Sequence, residues 1–101
     1  MHRVTVMIIK MFEFSYPELR FGDMGQHVEI MQFLLAVRGV QLPVYGIDGE
    51  FGSETQGGVQ RVQSKAGLPM TGVCDIETWA YLLTGEVQQI ESNDIGEDTA
   101  P

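Results

Sequence analysis

The residues of this sequence that could carry chemistry are two histidines, one cysteine and a short run of carboxylates. His2 lies beside the amino terminus and His27 in the first turn of a predicted helix, and neither has a nucleophile next to it in a recognisable catalytic pattern. His27 and Glu29 are two apart, so a helix turns them to different faces. There is no H-E-x-x-H and no C-x-x-C, and a zinc site generally needs more His and Cys than the chain holds. Asp48, Glu50 and Glu54 suggest Ca²⁺ at first sight. D-G-E-F-G, however, lacks the alternating acidic ligands and distal Glu of an EF-hand loop, which leaves Asp48 to turn and capping duty. Cys74 reads as a small buried hydrophobe rather than a reactive thiol. The expectation is a protein that is not an enzyme and holds no cofactor and no metal.

What remains is recognition. Tyr45, Phe51 and Tyr81 offer flat rings, and Gln32, Asp48, Arg61 and Gln63 offer hydrogen-bonding groups; these seven are the candidate ligand-binding residues. Each has a competing structural reading. Phe51 suits a core position better than a contact, and Gln32 and Gln63 could hydrogen-bond loop backbone instead of a ligand.

The stretch that must position them is Ile47 to Thr55, I-D-G-E-F-G-S-E-T, a turn followed by a helix start. Asp48 favours the turn by bonding backbone two residues on. Gly52 or Ser53 can cap the next helix, with Gln56 placed to complete a capping box. A second copy follows at Met70 to Thr78: Gly49 matches Gly72, Phe51 matches Cys74, and Glu54-Thr55 matches Glu77-Thr78. An internal turn-plus-helix repeat is therefore expected.

Three helices are predicted around these turns. The first runs over about 24–38, capped by Asp23 with Gln26 as its box partner, with Val28, Met31, Leu34 and Leu35 as its buried stripe and Ile30 and Val37 widening it. The second runs over about 54–66 with Val59, Val62 and Ala66 inward, and the third over about 76–83, capped by Asp75, with Trp79, Leu82 and Leu83 inward. Gly57 and Gly58 fall inside the second helix, and each costs about 1 kcal/mol relative to Ala, which points to close approach by a neighbouring helix.

At 101 residues there is one small domain, expected over residues 18–85. Residues 1–17 read as an apolar arm, a strand ended by Pro17, with a buried helix as the rival reading because Met and Ile suit one too; an isolated strand needs a partner from the tail, another copy or a larger assembly. Residues 86–101 carry Glu86, Glu91, Asp94, Glu97 and Asp98 and no basic residue, and read as a disordered acidic tail that supplies −5 of the formal net charge of −8. That charge argues against nucleic acid and against an anionic membrane surface. No segment is long enough to span a membrane. The apolar run from Val4 to Ile9 is broken by Lys10 and lacks a cleavage site, so either a leader has been removed or the protein reaches its place without one.

Residues 19–83 resemble the PGBD-like peptidoglycan-binding domain, the PG_binding_1 family. Leu19-Arg20-Phe21-Gly22-Asp23-Met24-Gly25 with Val28, Met31-Gln32 and Leu35 resembles its L-x-x-G-D-x-G-x-x-V-x-x-L-Q-x-x-L opening. Ile47 to Gly52 with Thr55, Val59 and Gln63 resembles its V-D-G-x-F-G-x-x-T-x-x-A-V-x-x-F-Q block, and Gly67-Leu68-Pro69, Thr71-Gly72-Val73, Asp75, Thr78-Trp79 and Leu82 its G-L-x-x-D-G-x-x-D-x-x-T-W-x-x-L block. Gly58 stands where the family usually has Ala, and Val62 where it has an aromatic. The resemblance implies an all-α three-helix fold and a non-catalytic module that binds peptidoglycan through glycan or stem peptide at the bacterial cell wall or outside the cell. The ligand would lie in a shallow groove beside Asp48 to Phe51, its carboxylates met by helix N-termini. The alternative is a structural protein reusing the fold, such as a bacteriophage virion component that docks on other subunits through residues 1–16.

Overall fold

The computed structural model describes residues 16–87. The expected strand over residues 1–16 lies outside them except for Tyr16, as does the acidic tail beyond Val87. Three helices form the fold: α1 (Gln26–Val37), α2 (Ser53–Ala66) and α3 (Ile76–Thr84), each packed against the other two. Among the described residues there is no strand, only two isolated antiparallel bridges, Leu19 with Cys74 and Met24 with Glu50. The all-α expectation holds.

Helical spacing builds the core. Val28, Met31 and Leu35 come from α1, Val59 and Val62 from α2, and Trp79, Ala80 and Leu82 from α3. Leu19, Val40, Phe51 and Cys74 seal it from the connecting segments. Burying each large apolar side chain contributes about 1.5–3 kcal/mol, so a small domain depends on nearly all of them. Trp79 is the largest, and its indole N–H would be stranded in the core without a partner. It donates to the Pro17 carbonyl at 2.7 Å, and the Tyr16 ring lies 4.7 Å away, centroid to centroid.

Cations close two helix ends, where carbonyls lack partners. Lys65 Nζ donates to the Arg38 carbonyl just past α1 at 2.7 Å, and Arg38 Nε donates to the Leu82 carbonyl in α3 at 3.0 Å.

Several local expectations are corrected. Asp23 does not cap α1. Its carboxylate accepts the Arg20 N–H at 2.9 Å and ties the preceding turn, while the Gly25 N–H donates to the Gly49 carbonyl at 2.9 Å and sets the helix start two residues later. α2 starts from Gly52 with no side-chain cap, so no Ser53–Gln56 box forms. Asp75 caps α3 as expected, accepting the Thr78 N–H at 3.0 Å. Ile30 and Val37 face outward, since the inner stripe of α1 is complete with Val28, Met31 and Leu35. Ala66 and Leu83 are half-buried. The paired glycines of α2 separate: a Cβ on Gly58 would meet Leu42 at 3.0 Å and Leu35 and Val40 at 3.4 Å, whereas at Gly57 it would meet only Arg61 Nη1 at 3.9 Å. Close packing explains the first glycine and not the second.

Candidate functional site

Two buried glutamines hold the two turns in matching ways. Gln32, from α1, accepts the Gly49 N–H at 2.8 Å. Its amide nitrogen faces Asp48 Oδ1 at 3.2 Å, the Glu50 carbonyl at 3.1 Å and Thr55 Oγ1 at 2.9 Å. Gln63, from α2, accepts the Gly72 N–H at 3.0 Å. Its nitrogen faces Thr71 Oγ1 at 3.2 Å, the Val73 carbonyl at 3.0 Å and Thr78 Oγ1 at 3.0 Å. Gly49 and Gly72 have φ of 78° and 79°, a left-handed conformation that presents both N–H groups inward and that a side chain would strain. Beyond each turn the chain pairs with the segment before α1. Phe51 exchanges bonds with Gly22 and Asp23, and Cys74 with Leu19, at 2.8–3.1 Å.

The turns differ on their outer side. In the first, Asp48 Oδ1 accepts the Glu50 N–H at 3.0 Å; in the second, Thr71 Oγ1 accepts the Val73 N–H at 3.1 Å. The Glu50 N–H, and after it the Gln32 amide, hold the Asp48 carboxyl below its usual pKa against a smaller opposing effect of burial. Glu54, one turn into α2, accepts the Val44 N–H at 2.7 Å and the Tyr45 N–H at 2.8 Å, fastening the 40–46 loop to the helix. Burial pushes the Glu54 pKa up, but the N–H groups of Val44, Tyr45 and Gly46 together outweigh it and the net shift is downward. Both groups are anions at neutral pH.

These elements enclose a recess of ≈ 350 Å³ lined by Tyr45, Asp48, Glu50, Gly52, Ser53, Glu54 and Thr55. Tyr45 is 69% exposed at its edge. Three carboxylates and a free ring make the recess suited to a neutral ligand that offers hydroxyl or amide N–H donors and a flat face. Asp48, Glu50 and Glu54 at this helix start weigh against an anionic ligand in the recess itself.

Of the seven sequence candidates, the structure brings Tyr45 and Asp48 together in this recess. Arg61 lines an adjoining groove that shares Ser53 and Glu54 with it. Gln32, Phe51 and Gln63 are at most 2% exposed, which removes them from the contact surface; Gln32 stands behind the recess, while Gln63 holds the second turn. Tyr81 is half-buried against the core and lines neither cavity. Sequence reasoning missed Glu54 as the loop's fastener; the signal available was only a Glu in the first helical turn, which reads as a dipole partner. Cys74 is fully buried, and burial first, then Asp75 beside it, raise its thiol pKa well above the ordinary value, so it is not a nucleophile. Among the described residues no group of three or more His, Cys, Asp or Glu could hold a metal ion.

Comparison with known proteins adds the family. PG_binding_1, described as "Putative peptidoglycan binding domain", matches residues 24–82. A Bacillus licheniformis protein named "Probable N-acetylmuramoyl-L-alanine amidase" is 42% identical over 68 residues, 67% of this chain and 19% of its own length. The chain thus spans about a fifth of that curated relative. The crystal structure of a Burkholderia AP3 phage endolysin superposes with a TM-score of 0.68 at 34% identity, covering 73% of this chain and 27% of that one. The SleB N-terminal domain superposes with a TM-score of 0.65 at 28% identity, covering 70% of this chain and 94% of that one.

Proposed function

The chain belongs to the peptidoglycan-binding domain family, and on that footing we propose that it is a non-catalytic module that holds a larger protein or assembly to the bacterial cell wall. The observation that carries the proposal is that the family match, residues 24–82, contains both glutamine-held turns and the recess beside the first of them. The place of action is then the cell wall or the extracellular side. Among the described residues no helix is long and apolar enough to cross a membrane.

The recess between Tyr45 and Asp48 receives glycan. Sugar hydroxyls and N-acetyl N–H groups are the donors that Asp48 and Glu50 want, and an exposed Tyr ring offers an amphipathic contact face. One shallow site of this size binds weakly, so retention comes from the many copies of the repeat on the wall, and from any second module in the same assembly.

Co-sedimentation with purified insoluble peptidoglycan tests the reading. Saturable binding that survives added salt is expected, because the recess works through hydrogen bonds and ring contact rather than through net charge. Tyr45→Ala and Asp48→Ala should each weaken it by about tenfold while the helical circular dichroism is kept. A folded wild-type protein that stays in the supernatant refutes wall binding, and variants that sediment like wild type refute the site. The alternative of docking through residues 1–16 rests on residues almost entirely outside those described. Light scattering with and without them tests it.

A further inference from the structure

We propose that the groove along the outer face of α2 is a second subsite, which takes a carboxylate-bearing peptide. It rests on the wall-binding reading and divides the ligand in two: glycan in the acidic recess, peptide in this groove. The groove measures ≈ 830 Å³, within the usual range for ligand sites. Ser53, Gly57, Arg61 and Ser64 line it from one face of α2, and Gln41 and Pro43 form the opposite wall.

Gly57 is the first support. A glycine in a helix interior weakens the helix relative to alanine, and at Gly58 the close neighbours explain it. At Gly57 nothing but the tip of Arg61, on the same helix, comes within 4 Å of where a Cβ would stand. Among the described residues nothing else packs against that position, yet Gly57 lines the groove. A ligand lying close along the helix explains the missing methyl.

Charge is the second. The chain carries −8, yet Arg61 and Lys65 both line this groove. Arg61 gives one N–H to the Gln41 carbonyl at 2.9 Å and Lys65 one to the Arg38 carbonyl at 2.7 Å, which fixes both cationic heads and leaves further donors on each. The one carboxylate in the lining, Glu54, is engaged by the Val44 and Tyr45 N–H groups. Arg20 is paired with Glu18 and Arg38 is seated on α3. The groove is therefore where an anion is favoured on a surface that otherwise repels it. Ser53 and Glu54 line both cavities, so one ligand can run from the recess into the groove.

The test uses the full chain, ¹⁵N-labelled, titrated with a synthetic stem tetrapeptide as the free acid and as its C-terminal amide. Amide shifts at Gly57, Arg61 and Ser64 are expected with the free acid, and a weaker response with the amide. Gly57→Ala should melt at the same temperature or higher and bind the free acid about tenfold more weakly, because the new methyl stands in the groove. Arg61→Gln should erase the difference between free acid and amide. Peptide shifts elsewhere, none at all, or unchanged binding by Gly57→Ala overturn the subsite. If insoluble peptidoglycan still sediments the protein in that case, glycan binding stands alone; if it does not, the wall-binding reading falls as well.

Discussion

Gln32 and Gln63 make the same four kinds of bond, a glycine N–H, a carbonyl, a threonine hydroxyl and a turn side chain, all at 2.8–3.2 Å. What surrounds the two turns is not the same. In the second, Asp75 caps α3, and the half-buried Val73 stands where the first turn has Glu50. In the first, Gly52 leaves the start of α2 without a side-chain cap, and Asp48 and Glu50 put charge where the second turn has Thr71 and Val73. Helix start and turn backbone are alike in both; the side chains that would close the first are missing. On the proposed reading, a repeated structural unit is turned to binding by leaving its cap off and placing carboxylates where its twin has Thr71 and Val73.

The largest expected effect contrasts the two anchors. Phe51→Ala should cost about 3–5 kcal/mol, because a fully enclosed ring leaves a cavity, and Cys74→Ala about 1 kcal/mol, because one atom is lost. Against a total of about 5–15 kcal/mol the first leaves a marginal fold. Urea denaturation measures both, and equal costs would show that the volume each plug fills does not set its contribution. Next come the glutamines. Gln32→Ala and Gln63→Ala should each cost about 2–3 kcal/mol, since each strands a buried glycine N–H and leaves a void. A difference of more than about 1 kcal/mol between them breaks the equivalence of the two units.

A smaller effect sharpens the contrast of the caps. Gly52 has φ −103° and ψ −162°, close to Asp75 at −93° and −174°, and a Cβ there meets nothing within 4 Å. Gly52→Asp should therefore stabilise α2 by a few tenths of a kcal/mol, because an Asp cap is only slightly better than Gly. It should also weaken peptidoglycan binding by filling the open helix start. A variant that gains stability and loses no binding would show that the open cap is incidental.

The fold was legible because its signals are local. Glycine stops, the Asp75 cap and the 3.6-residue apolar stripes mark the three helices, and the internal repeat is written in matching residues. The site was legible in part. Asp48 and Tyr45 could be found as a polar group and a ring beside a turn, but Phe51, Gln32 and Gln63 look like contact residues from composition alone. Only the path of the chain decides between contact and frame: Phe51 is enclosed, and the amides of Gln32 and Gln63 are spent on the turns and the threonines behind them. Glu54 was hidden for the same reason: its partners, Val44 and Tyr45, are ten and nine residues away. The two faces of α1 were misjudged because Ile30 and Val37 are as apolar as the residues that are buried.

The smallest effect separates the turns by pH. The Asp48 carboxyl has a lower pKa folded than unfolded, where it sits near 3.9. Its bonds to Glu50 and Gln32 thus add stability at pH values above the unfolded pKa, and that stability is lost as pH falls through the folded pKa. Thr71 does the same mechanical work without a titrating group. Hydrogen exchange followed by NMR from pH 6 to about 3 should show protection of the Gly49 N–H falling relative to that of the Gly72 N–H. Glu54, also depressed, should release Val44 and Tyr45 over the same acid range, so the control is Asp48→Asn, which should flatten the response at Gly49 and leave that at Tyr45. Parallel loss at both glycines would mean that the two turns open only together, as parts of one cooperative unit. Loss at Gly49 alone would make the first turn the locally softer of two otherwise equal latches, the expected consequence of building it with charge and without a cap.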